Sequence, residues 1–311
     1  MYDIEKIIKE EQLTHEDLSY AIYSDACIRA ATDTSAFNSF KTNPNYIYEL
    51  EHTSKELGEN YISQAKEEFH KELMELNWEK VQVNDKFGGA QKIPYESLSI
   101  YTNHIAYSPT TIGYLYLALR MCRELQTKNI KKPIDVVELG AGYGGQCYLF
   151  LVVAELMAIP LKSYGLADLY HANLLQNKYL EHIISYINKD NKLSLKDNTQ
   201  LEFYSCKDYG EYSTQVGNID YVISNYALSE MSVNWAKRYL ETFIKKSKYG
   251  FFQFNTLNKG VQSNGTYENL READLATHYT DIQNLEDPGN TTGVPGGGFA
   301  GNRLLICEVK S

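Results

Sequence analysis

The residues with the clearest chemical promise lie in one run, Glu138-Leu139-Gly140-Ala141-Gly142-Tyr143-Gly144-Gly145. An acidic residue followed by closely spaced glycines suits a loop that cradles a nucleotide-like ligand, because glycine lets the backbone turn tightly and approach the ligand. Gly140 and Gly142 are expected to clear Cβ atoms from the ligand's path, and Gly144 and Gly145 to permit a tight turn into a helix. Asp168 is a second carboxylate, placed to accept hydrogen bonds from both hydroxyls of a ribose. Beyond these, Asn225, Ser229 and Glu230 form a polar group that could serve a second ligand. The seven histidines include His104, His171 and His278, and none forms a metal-binding spacing.

These groups need elements to hold them. Residues 134–139, 163–167, 201–205, 219–224, 250–254 and 303–309 read as short apolar strands, and residues 146–157, 172–188 and 233–247 as the helices between them. Strands alternating with helices predict an α/β fold with a parallel sheet covered on both faces. The glycine run then sits between the first strand and its helix, Asp168 ends the second strand, and Asn225 follows the fourth. Ligands of such sheets bind outside the carboxyl ends of the strands, near the point where strand order reverses.

The first part of the chain is different. It shows helical patterns and almost no strands: residues 59–78 carry Tyr61, Ile62, Ala65, Phe69, Leu73 and Leu76 at spacings of three and four, and helix starts are expected near Asp3 and after Thr14. We expect a helical region over residues 1–93, acting as a cover for the second ligand or as an oligomer contact, followed by a Rossmann-like domain over 94–311.

Composition narrows the function classes. A chain of 311 residues with 43% hydrophobic residues can fill a sizeable core. The net charge of −10 opposes a nucleic-acid partner, whose phosphates select clustered Lys and Arg. Cys27, Cys122, Cys147, Cys206 and Cys307 are odd in number and scattered, as expected of reduced core thiols. No signal peptide is evident at residues 1–12, and the most apolar stretch, 147–161, is interrupted by Glu155 and Pro160. A cytoplasmic protein without membrane insertion is the expectation.

Gly140, Gly142 and Gly145 also satisfy the dinucleotide pattern G-x-G-x-x-G, so an NAD-dependent oxidoreductase is a rival reading. Glu138 weighs against it, because a carboxylate there repels a pyrophosphate. S-adenosylmethionine, with its sulfonium and amino group, suits acidic surroundings better. A non-catalytic binding protein on the same fold is the third reading.

The run from Val137 to Gly145 resembles the first motif of class I S-adenosylmethionine-dependent methyltransferases. Asp168-Leu169, continuing to Gln176, Tyr179 and Leu180, and the segment Asn225-Tyr226-Ala227-Leu228-Ser229-Glu230-Met231 are similar to bacterial sugar O-methyltransferases; Tyr170-His171 stands where that family has Pro-Glu. The resemblance implies a Rossmann-like class I methyltransferase sheet and a small polar acceptor, a sugar or sugar-containing metabolite. It implies cofactor contacts from Glu138, Gly140, Ala141, Gly142, Tyr143, Gly144, Gln146, Asp168, Leu169, Asn225 and, past the third strand, Asp208. Methyl transfer to a hydroxyl needs a group to take its proton. Glu230 and His104 are the candidates, although Glu230 also suits the start of the next helix. Tyr107, His171, Ser229 and His278 are the expected acceptor contacts.

Overall fold

A computed structural model describes residues 15–50, 53–128, 130–189, 199–205, 216–231, 233–254, 259–262, 265–268, 270–288 and 302–310. Its centre is a seven-stranded sheet made of β1 (Ile134–Leu139), β2 (Leu161–Asp168), β3 (Gln200–Ser205), β4 (Ile219–Asn225), β5 (Ser247–Phe254), β6 (Asp281–Glu286) and β7 (Arg303–Glu308). The strands lie in the order β6-β7-β5-β4-β1-β2-β3. β1 to β5 pair in parallel, and β7 runs antiparallel to both β5 and β6. This is the expected Rossmann-like methyltransferase sheet. The order reverses between β1 and β4, which opens a crevice at their carboxyl ends.

The central strands read as near-continuous apolar runs because both their faces are buried. Val136 points into one core, with Tyr164, Leu166, Ile223 and Phe251, while Val137 and Leu139 point into the other, with Val222, Phe252 and Leu305. The first core is covered by α4 (Pro109–Thr127), α5 (Gly145–Leu156) and α6 (Tyr170–Lys189). The second lies under α8 (Val233–Thr242), which supplies Tyr239 and Leu240.

The amino-terminal helices join the first core without a break, from Tyr23 on α1 (His15–Thr32) through Tyr61 and Ala65 on α2 (Lys55–Glu68) to the sheet. The helix expected over 59–78 is in three pieces: α2, a short helix His70–Glu75, and α3 (Trp78–Val83). Its backbone leaves the helical region at Phe69, at φ −130 and ψ 30. The apolar stripe survives the break, since Tyr61, Ile62, Ala65, Phe69, Leu73 and Leu76 are all buried.

β6 escaped the sequence reading. Its residues, Asp281 to Glu286, are mostly polar and part-exposed, as an edge strand allows. Two short ribbons, Ile93–Pro94 with Ala106–Tyr107 and Lys259–Gln262 with Gly265–Glu268, were equally unmarked. The helix start near Asp3, Cys206 and the glycine-rich run 293–301 lie outside the described residues. The other four cysteines are buried free thiols. Among the described residues no helix is long and apolar enough to cross a membrane.

The start of α4 is fixed by a buried carboxylate. Asp85 accepts from the Ser108 amide at 2.7 Å, from Ser108 Oγ at 2.7 Å and from Thr111 Oγ1 at 2.8 Å. Ser108 Oγ in turn caps the helix by accepting from the Thr111 amide. Removing an acceptor from buried donors costs more than the net value of its bonds. Asp85→Ala should therefore lower the unfolding free energy by about 2–4 kcal/mol, read as a lower urea midpoint. An unchanged midpoint would show that the three donors find other partners.

Candidate cofactor and acceptor site

The glycine run leaves β1 as a loop with left-handed backbone at Gly140 (φ 67), Gly142 (φ 58) and Gly144 (φ 88). Gly144 occupies the N-cap of α5. The expectation for Gly140 needs correction: a Cβ there would lie 2.3 Å from the Ala227 Cβ, so it is the start of α7 (Ala227–Glu230) that requires the glycine. The Gly140 amide donates to the Ala167 carbonyl at 2.9 Å, tying the loop to the end of β2.

Asp168 staples that loop. Its Oδ2 accepts from the Gly142 amide at 3.1 Å and from Gln176 Nε2 at 2.9 Å, while Oδ1 accepts from the Leu169 amide at 2.7 Å. Gln176 also donates to the Gly142 carbonyl at 2.9 Å, so both polar groups of this glycine are held. Burial raises the Asp168 carboxyl to about 7, outweighing these donated bonds. In register with Asp168, Ser205 ends β3, and its buried Oγ has no partner among the described residues. The role of Gln176 and Ser205 was not foreseen, although Gln176 shares a helix face with Asn173, which donates to its Oε1 at 2.8 Å. His171 sits half-buried at the start of α6, its ring against Tyr170.

Glu138 does not open onto the crevice. It is 2% exposed and accepts from the Tyr164 hydroxyl at 2.8 Å. Burial pushes its carboxyl up to about 8; Tyr164 opposes this, and the charge of Asp168 adds to it. Tyr143 also departs from expectation. Its fully buried ring turns away from the crevice onto Tyr179 and Phe40, with Lys41 Nζ 4.0 Å from its centroid. Asn84 Nδ2 donates to its hydroxyl at 3.2 Å. Its side chain thus joins the glycine loop to the amino-terminal region.

That region reaches Asp168 as well. The buried Tyr23 phenol on α1 is raised by burial first, then by Cys27 and by the charge of Asp168. Helix α1 thus passes near the carboxyl end of β2.

At the carboxyl end of β4, Asn225 Nδ2 donates to Gln146 Oε1 at 3.3 Å, and Gln146 Nε2 donates to the Tyr114 carbonyl at 3.2 Å. Asn225 Oδ1 is buried without a partner among the described residues. Ser229 Oγ donates to the Tyr226 carbonyl at 2.8 Å, closing the turn into α7, and Glu230 is exposed at the end of that helix. Gly140, Gly142, Asp168, Gln146 and Asn225 thus converge across the β2, β1 and β4 ends.

Three expected residues lie elsewhere. His278 Nε2 is 2.8 Å from the carbonyl of Ser247, the first residue of β5, at the opposite end of the sheet from the crevice. The Tyr107 ring is buried against Trp78 in the helical layer. His104 is exposed in the loop before Ala106–Tyr107, its amide donating to Thr102 Oγ1. Asp208 lies outside the described residues. Among the described residues no group of three or more His, Cys, Asp or Glu could hold a metal ion.

A second polar cluster went unread. Asp287 follows β6 and is fully buried; its Oδ1 accepts from the Tyr61 hydroxyl at 3.2 Å, and its Oδ2 from the Tyr226 hydroxyl and from Gln253 Nε2, both at 2.7 Å. Gln253 also donates to the Tyr61 hydroxyl at 2.7 Å. Asn302 Nδ2 donates to the Tyr226 hydroxyl at 3.2 Å. The five residues are far apart in sequence and meet only through strand order.

No family model matches the chain, and no curated protein matches it. Among solved structures, it is similar to magnesium protoporphyrin IX methyltransferase from Synechocystis PCC 6803 with bound SAH, at 13% identity and a TM-score of 0.42, over 81% of this chain and 100% of that one. It is similar to the CurJ carbon methyltransferase at 12% identity and a TM-score of 0.42, over 70% and 59%. An O-methyltransferase family protein from Burkholderia thailandensis is similar at 12% identity and a TM-score of 0.36, over 82% and 72%.

Proposed function

We propose that the chain is an S-adenosylmethionine-dependent O-methyltransferase acting on a small polar acceptor, a sugar or sugar-containing metabolite. The observation that carries this reading is the glycine loop stapled to Asp168, with Asn225 Oδ1, which has no partner among the described residues, across the crevice. A carboxylate and a hydroxyl, Asp168 and Ser205, suit the ribose; an unpaired amide oxygen suits an ammonium group. Bound there, the cofactor would supply an electrophilic methyl group. Gly140 and Gly142 would shape the loop beneath it, and Leu169 and His171 would border the adenosine. Asp168 would serve the ribose of NAD as well as that of S-adenosylmethionine, so the two ligands are separated by titration.

The O-methyl and sugar assignments rest on the likeness of the segments from Asp168 and from Asn225 to sugar O-methyltransferases. Ser229 and Glu230 are the groups we place nearest the acceptor, with Glu230 to take the hydroxyl proton. A cytoplasmic enzyme that binds no nucleic acid, and that forms a homo-oligomer, completes the proposal.

Calorimetric titration with S-adenosylhomocysteine and separately with NAD tests it. Binding of the first alone is expected; binding of NAD alone would replace this reading with the oxidoreductase. The titration also has a pH signature. With the Asp168 carboxyl at about 7 in the free protein, a ribose that donates to the ionised form draws the proton off. Affinity should rise roughly tenfold between pH 6 and pH 8, with proton release seen as a buffer-dependent heat. An affinity flat over that range would remove Asp168 from the ribose contact.

A further inference from the structure

Resting on the cofactor reading above, we infer that the Tyr23 hydroxyl of α1 completes the ribose site with Asp168 and Ser205, so that the amino-terminal region holds the cofactor itself. Helix α1 places Tyr23, Ala26, Cys27 and Ala30 at spacings of three and four, and all four are buried. This face lies against α6, where Lys178 Nζ donates to the Ala30 carbonyl at 2.9 Å. The same ammonium stands 4.6 Å from the ring centroid of Phe37, beyond the end of α1, and Phe37 meets His182, one turn further along α6, at 4.7 Å. The two helices therefore run side by side in one direction. Tyr23 is two turns before Ala30, about 10 Å back, which brings it to the first turn of α6, just after Asp168.

Ring contacts fix the other side. The Tyr23 ring centroid is 5.8 Å from that of Tyr46, and Tyr46 is 6.5 Å from Tyr143, the loop residue that follows Gly142. Tyr23 thus stands between the start of α6 and the glycine loop, the two segments that Asp168 ties together through the Leu169 and Gly142 amides.

Hydrogen bonding gives this position a chemical meaning. The Tyr23 hydroxyl is buried without a hydrogen-bond partner among the described residues, and Cys27, one turn on, offers it only a weak sulfur acceptor. Ser205 Oγ, in register with Asp168 on β3, is buried and unpartnered among the described residues in the same way. A buried hydroxyl left unpaired carries a desolvation cost that a phenylalanine or an alanine in its place would avoid. Two such hydroxyls near one buried carboxylate match a vicinal diol, whose hydroxyls donate to Asp168 and accept from Tyr23 and Ser205. Burial first, then Cys27 and the charge of Asp168, raise the Tyr23 phenol, which keeps it protonated and able to donate.

The test titrates the full chain with S-adenosylhomocysteine and with its analogue lacking both ribose hydroxyls. Tyr23→Phe removes only the phenolic oxygen. It should weaken S-adenosylhomocysteine on the order of tenfold and the analogue by less than about threefold, so that the preference for the hydroxyls shrinks. The urea midpoint of the ligand-free variant should not fall, because the lost hydroxyl held no strong bond. A preference unchanged in Tyr23→Phe, whether both affinities fall together or neither moves, would overturn the inference and leave the cofactor reading standing. Should that variant not fold, hydrogen exchange in the unmodified chain decides. Amides around Tyr23 that slow more with S-adenosylhomocysteine than with the analogue support the ribose contact, and equal slowing overturns it. If the unmodified chain does not bind S-adenosylhomocysteine, the cofactor reading itself has failed and the inference falls with it.

Discussion

Gly142→Val should abolish binding of S-adenosylhomocysteine, by at least about a hundredfold, and lower the unfolding free energy by about 2–4 kcal/mol. The backbone at Gly142 has φ 58, where a β-branched side chain is strained whatever space surrounds it. The residue cannot simply rotate out of that region. Its amide is held by Asp168 and its carbonyl by Gln176, both buried, so a shift of the peptide breaks two bonds and leaves two side chains to find new partners. The loop that yields is the one proposed to lie beneath the adenosine. Gly142→Asn provides the matched control, because asparagine visits the left-handed region readily and should retain much of the stability that valine loses. Thermal melting and calorimetric titration check both variants. A folded Gly142→Val protein with unchanged affinity would take this loop out of the cofactor site.

The sequence carried the loop well and its surroundings poorly. Glycine spacing and the carboxylate at the end of the second strand are local signals, and the loop, Asp168 and the parallel core strands appear where those signals place them. Roles that depend on side-chain direction were less legible. Tyr143 reads as part of the loop, yet its ring faces the aromatic packing around Lys41, because residues 37–46 come back to meet it. Glu138 reads as a ligand contact, but on its strand it shares a face with Val136 and finds Tyr164. His278 reads as an acceptor contact, while the turn that leads into β6 places it at the far end of the sheet, beside the start of β5. The Asp287 cluster had no signal at all. Tyr61 and Asp287 meet across 226 positions, and β6, which delivers Asp287, is a polar edge strand that hydrophobic patterning does not reveal.

Glu138→Gln should make the ligand-free protein more stable at pH 8 by on the order of 4 kcal/mol and leave it nearly unchanged at pH 5. The argument follows from where the proton sits. In the unfolded chain this carboxyl titrates near 4.5, whereas burial in the native state raises it to about 8. Below the lower value both states hold the proton and the group makes no difference. Between the two values the native state holds a proton that the unfolded state has lost, so stability falls steadily as pH rises. Above pH 8 the carboxylate is ionised in both states and its full burial cost is felt. Asp168, raised from 3.8 to about 7, adds a decline of the same sign over a slightly lower range. Glutamine keeps an acceptor for the Tyr164 hydroxyl and carries no charge, so the variant should retain only the Asp168 part of the slope. Urea midpoints measured from pH 5 to pH 9 separate the two contributions. Parallel curves for the two proteins would mean that Glu138 is stabilised in its ionised form by groups beyond Tyr164. A variant less stable at every pH would mean that the carboxylate holds the glycine loop together as a charge.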